Sequence, residues 1–156
     1  MKYTYIFTTI TKWSEPPRIR HQLARMLSND NLVFFIETPF RRYKDSRLKN
    51  IKVEEVEKNI IKVALPDKFY LSQKIEAVAY PIRKLYQKEV GNQIAKILIN
   101  RVIGKVILVN FNFLMSEIMS MDCFDYRIYF CNDDFPNMSK CDYLKDAYKR
   151  IERKTV

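Results

Sequence analysis

Short, dense apolar runs in this chain alternate with longer stretches in which apolar residues recur every three or four positions. Tyr3 to Ile10 is rich in aromatic and β-branched residues and predicts a strand. Thr8, Thr9, Thr11 and Lys12 give that strand a polar tip. Trp13-Ser14-Glu15-Pro16-Pro17 reads as a loop whose prolines pre-set a helix start, with Ser14 as a nearby cap. Arg18 to Ser28 follows as a helix, with Ile19, Leu23, Met26 and Leu27 on one face. Leu32 to Glu37 is a continuous apolar run of the kind buried on both faces of a sheet. Ile51 to Val56 and Asn59 to Leu65 predict a hairpin. Leu71 to Val102 has helical periodicity through Ile75, Val78, Ile82, Leu85, Ile94 and Leu98. A break is expected at Pro81 and a weakness at Gly91, with Arg83, Lys84 and Lys88 on the opposite, solvent-facing side.

Val106 to Val109 is a further buried-type strand, with Asn110 and Asn112 at its tip. Phe113 to Met121 predicts a short helix. Tyr126 to Phe130 is an aromatic strand running into Asn132-Asp133-Asp134, whose side chains compete for the backbone and stop it. Ser139 to Arg153 predicts a charged helix, and Lys154-Thr155-Val156 the start of another strand. Strands that alternate with helices imply an α/β fold: one Rossmann-like domain over residues 1–156, with a mainly parallel sheet and helices on both faces. The strands at 3–10, 32–37, 106–109 and 126–130 are expected to be parallel, the first beside the third. Parallel strands present their carboxyl ends at one edge. Trp13, Arg18, Arg20, His21, Asn110, Asn112, Asp133 and Asp134 are therefore expected around one open, polar surface.

Composition removes several function classes. Only Gly91 and Gly104 occur, so no glycine-rich phosphate loop exists. His21 is the only histidine, which excludes a His-rich zinc site. Cys123, Cys131 and Cys141 show no CxxC spacing and suit free thiols in a reducing, cytoplasmic setting. No apolar run is long enough to span a membrane, and Met1 to Phe7 lacks the apolar core and cleavage site of a signal peptide.

The net charge of +10 calls for an anionic partner, unless it serves solubility alone. Two regions concentrate it. Arg41 to Lys52 carries about +5 by count, and residues 68 to 105 about +6 on an amphipathic background. A solvated helix face and a peripheral contact with anionic lipid are both compatible with this pattern. Charge is the sole argument for nucleic acid. The chain has no RRM-type aromatic signature, zinc-finger spacing or clear helix-turn-helix.

Each candidate residue has two readings. Asp133 and Asp134 either hold a substrate hydroxyl at the cleft or cap the following helix. His21 is either a general base or a surface histidine. Arg18 and Arg20 sit at a helix start, where the dipole disfavours cations; they either meet an anionic ligand or face solvent. Trp13 either stacks on a sugar ring or plugs the end of the sheet.

Several local patterns together resemble the N-terminal half of GT-B-fold glycosyltransferases, in the family-four-like group of teichuronic-acid, capsule and exopolysaccharide enzymes. They are the Trp13 loop leading into Arg18-Ile19-Arg20-His21, the strand ending in Glu37-Thr38-Pro39, and the aromatic strand running into Asp133-Asp134-Phe135. The resemblance spans nearly the whole chain through short motifs. It implies an acceptor-side domain for a glycan or lipid-linked acceptor. His21 and Asp134 would then be catalytic, with Trp13, Arg18, Arg20, Asn110, Asn112 and Asp133 binding substrate. It also implies that the nucleotide-sugar donor belongs to a second, C-terminal domain. No cofactor or metal is expected in this domain, and no turnover from these 156 residues alone.

Overall fold

In the computed structural model, residues 2–38, 50–66, 73–131 and 135–155 are described. Six strands form one sheet in the order β3-β4-β2-β1-β5-β6: β1 Thr4–Thr9, β2 Leu32–Glu37, β3 Lys52–Glu57, β4 Ile60–Ala64, β5 Val106–Asn110 and β6 Tyr126–Tyr129. All neighbours are parallel except β3, which runs back against β4 as a hairpin. The α/β fold, the β1–β5 pairing and the hairpin agree with the pattern of the sequence. The hairpin turns through Asn59 at φ 62°. In a chain with so few glycines, asparagine takes this left-handed position, which its short polar side chain tolerates.

Alternation along the central strands feeds two cores. Ile6, Phe34, Ile36 and Leu108 point to one face, where Val90, Ile94 and Leu98 of α3 (Tyr80–Leu98) cover them. Phe7, Val33, Phe35 and Val109 point to the other, under Leu23, Ala24 and Leu27 of α1 (Ile19–Leu27). Helices thus lie on both faces, as double burial of the strands requires. A third cluster joins Ala77 of α2 (Gln73–Val78), Phe113 and Leu114 of the 3-10 helix Phe113–Ser120, and Leu144, Ala147 and Ile151 of α5 (Asp142–Thr155). A short helix, α4 (Phe135–Met138), precedes α5.

Several expectations need correction. Strand β6 is an edge, and Tyr126 and Ile128 are exposed rather than doubly buried. The chain breaks before Pro81, as expected, but α3 runs through Gly91 without interruption. The glycine serves a close approach there: a Cβ at Gly91 would run into the Met121 thioether. Lys154 and Thr155 continue α5 instead of opening a strand. The largest error is the register of the first half of α3. Ile82 and Leu85 are 52% and 71% exposed, whereas Arg83 and Gln87 are 3% and 1% exposed. The buried stripe runs Arg83, Gln87, Val90, Ile94, Leu98. Its polar members are recruited by the 3-10 helix. The Gln87 amide N–H donates to the Leu114 carbonyl, its oxygen accepts the Glu117 N–H at 2.8 Å, and Arg83 pairs with Glu117 at 3.5 Å.

Among the described residues no helix is long and apolar enough to cross a membrane.

Candidate functional site

The connection leaving β1 leads to α1 on one face of the sheet. The connection leaving β5, its neighbour, leads to the 3-10 helix, whose Met115 and Ile118 pack on the other face. Adjacent connections that diverge in this way open a crevice at the carboxyl edge, the usual ligand position in an open α/β sheet.

The crevice floor is built from short polar side chains. Thr8 and Asn110 pair across β1 and β5, and the Thr8 hydroxyl donates to Asn110 Oδ1 at 2.8 Å. The same oxygen accepts the Asn112 N–H at 2.9 Å. Asn112 Oδ1 accepts the Leu114 N–H at 3.2 Å, capping the 3-10 helix, and its amide N–H reaches the Thr38 hydroxyl at 3.4 Å. Thr38 in turn donates to the Thr9 carbonyl at 3.0 Å. Thr9 Oγ1 accepts from Arg20 Nη1 at 2.9 Å and from the Thr11 N–H at 3.0 Å. Arg20 is buried, with its guanidinium 5.6 Å from the centroid of Phe111. Three strand tips are thus stitched together, as burial of polar groups demands.

The lip of the crevice is the loop between β1 and α1. His21 is 1% exposed. Its Nδ1 accepts the Arg18 N–H at 3.0 Å, and its Nε2–H donates to the Lys12 carbonyl at 3.1 Å. His21 therefore ties both ends of the loop and replaces Ser14 as the cap of α1. Its ring stacks on Phe35 and touches Trp13. Burial is the main reason its pKa lies below the ordinary value; nearby Arg25 and Arg20 add to the effect, and the Lys12 carbonyl opposes it. In this arrangement both ring nitrogens are committed.

Trp13 packs edge-on against Phe35, with the Arg25 guanidinium 5.1 Å from its ring centroid. The Trp13 backbone N–H donates to Glu37 Oε1 at 2.6 Å. Burial raises the Glu37 carboxyl above the usual range, against that hydrogen bond. Arg18 is exposed at the rim and pairs with Glu15 at 3.5 Å.

Trp13, Arg20, His21, Asn110 and Asn112 thus meet at one edge, with Arg18 beside them. The open polar surface expected there is instead a closed, internally bonded floor. Asp133 and Asp134, and the basic stretch from Arg41 to Lys49, lie outside the described residues. Among those described, no three His, Cys, Asp or Glu side chains gather as metal ligands. Thr38 and Glu37 were missed as members of the edge. Their signal was available, because a buried-type strand that closes on a polar residue and is followed by another marks its own tip. Compared with known proteins, the chain matches no family model, no curated protein and no solved structure.

Proposed function

We propose that this chain is the acceptor-side domain of a glycosyltransferase that moves a sugar from a nucleotide-sugar donor to a glycan or lipid-linked acceptor. One observation carries the reading. Trp13, Arg18 and His21, which carry the resemblance, fall together at the crevice between β1 and β5, where an open α/β sheet binds its ligands. His21 acts as a positioning residue that holds the Trp13 loop, and Arg18 is the rim cation left to meet an acceptor. The donor would be held by another domain. A lipid-linked acceptor would bring the protein to the cytoplasmic face of a membrane.

Trp13 is the only tryptophan, so its fluorescence reports on the lip alone. Titration with short oligosaccharides and with lipid-linked saccharides in detergent is expected to shift its emission saturably, and Arg18→Ala to weaken that response about tenfold. A silent Trp13 with every saccharide would overturn the reading. So would tight, salt-sensitive binding of oligonucleotides at this lip, which would favour a basic nucleic-acid module.

A further inference from the structure

We propose that a second site, a cleft between the start of α3 and the last turns of α5, binds a small organic phosphate. The cleft encloses about 270 Å³ and is lined by Tyr80, Arg83, Arg150 and Lys154, with an apolar wall from Ala77, Ala147 and Ile151. None of the residues that carry the reading of the β1–β5 crevice lines it, so the inference does not depend on that reading.

Three observations converge. The first is charge: Arg83, Arg150 and Lys154 line the cleft, and no carboxylate does among the described residues. Lys154 Nζ lies 4.2 Å and the Arg83 guanidinium 5.1 Å from the centroid of the one Tyr80 ring. The two cations are therefore less than about 10 Å apart, within one Debye length, and repel each other until an anion enters. The second is unused hydrogen-bonding capacity. Arg83 is almost wholly buried, its contact with Glu117 is long at 3.5 Å, and its Nε has no hydrogen-bond partner among the described residues. A buried guanidinium favours a planar, bidentate anion contact. The third is position. The first turn of α3, at Tyr80 and Arg83, and the last turns of α5, at Arg150 and Lys154, meet at the cleft, so cations from two helices converge on it.

Ligand class follows from size and balance. Three cations, with Glu117 behind Arg83, leave about +2, which matches a phosphate monoester at neutral pH. The volume is at the low end for small-molecule sites and suits a small ligand whose organic part lies on the apolar wall.

The test uses phenyl phosphate and inorganic phosphate, followed by calorimetry, with vesicles containing phosphatidic acid as a separate arm. Saturable binding is expected, tighter for phenyl phosphate than for inorganic phosphate. Arg150→Gln with Lys154→Gln should weaken it at least about tenfold. Lys84→Gln with Lys88→Gln, elsewhere on α3, should leave it unchanged. Arg83 is buried and its replacement would risk the fold, so the test rests on the two residues of α5. Vesicle binding that follows the same residues, with weak soluble binding, identifies a lipid headgroup as the source and sustains the site. Absence of saturable binding in both arms overturns it, as does equal loss from the Lys84 and Lys88 pair. Trp13 emission should stay constant throughout, which separates this site from the crevice.

Discussion

Polar side chains gather in two places near the same end of the molecule, and they are handled in opposite ways. At the β1–β5 edge they are mostly neutral and bonded to one another: Thr8 to Asn110, Asn110 to Asn112, Asn112 to Thr38, Thr38 and Arg20 to Thr9. In the α3–α5 cleft they are cations gathered round one tyrosine. A network bonded mainly within itself fixes a geometry. A cluster of like charges is a cost until something of opposite sign arrives. The difference has a direct consequence. Removing an edge residue should destabilise the fold, and removing Arg150, the exposed cleft cation without an ion pair among the described residues, should not.

The largest effect is expected at Asn110. Asn110→Ala would strip partners from the Thr8 hydroxyl and the Asn112 N–H, both buried. Each orphaned group costs about 1–3 kcal/mol, so a loss of about 3 kcal/mol is expected as a lower urea midpoint with an unchanged slope. A loss below about 1 kcal/mol would mean that the edge is not the rigid network described.

His21 sharpens the contrast through pH. Its folded pKa is depressed, chiefly by burial, so the unfolded chain takes up the proton more readily than the native one. The contribution of neutral His21 is therefore present above the ordinary histidine value of about 6.5 and is lost as pH falls below it. His21→Phe keeps the stacking on Phe35 and removes both hydrogen bonds. The variant should be about 1–2 kcal/mol less stable near pH 8, with the gap narrowing towards pH 5. Glu37 works in the other direction, since its raised pKa makes its contribution decline as pH rises from the carboxylate range. It is common to both proteins and cancels in the difference. A gap that stays constant from pH 8 to pH 5 would show that His21 does not titrate with folding.

The strands were legible because their apolar runs are short, dense and bounded by turn-forming residues, a local signal. The edge was legible as a place, since parallel strands put their tips together, but not as a closed floor. Nothing in the spacing of Thr8, Thr9 and Asn110 reveals which of them will face each other until register pairs Thr8 with Asn110. The buried face of the first half of α3 was not legible, whereas Ile94 and Leu98 of the second half were. Ile82 and Leu85 pull the expected stripe one way; Glu117 and the backbone at Leu114, some thirty residues later, pull Arg83 and Gln87 inward. That choice is tertiary, and it also created the cleft. The strand expected at Lys154 failed for a local reason, because Arg153 and Lys154 sit in the last turn of α5, where cations suit the helix dipole.

The smallest effect concerns Arg150 and carries the opposite sign. Arg150 makes no ion pair among the described residues, although Asp146 stands one turn before it. Lys154 stands one turn after it, and like charges at that spacing cost a few tenths of a kcal/mol. Arg83, lining the same cleft, adds to the repulsion. Arg150→Gln should therefore raise stability by about 0.3 kcal/mol at 10 mM salt, where charges interact over about 30 Å, and by nothing measurable at 0.5 M. Lys154→Gln is a poorer test, since it also loses the Tyr80 ring and a favourable place at the helix end. Denaturation of the ligand-free protein at both salt concentrations decides the matter. A gain that fades with salt supports a cleft held in electrostatic tension. A loss at low salt would mean that Arg150 is already compensated within the fold, and the contrast with the internally bonded β1–β5 edge would fail.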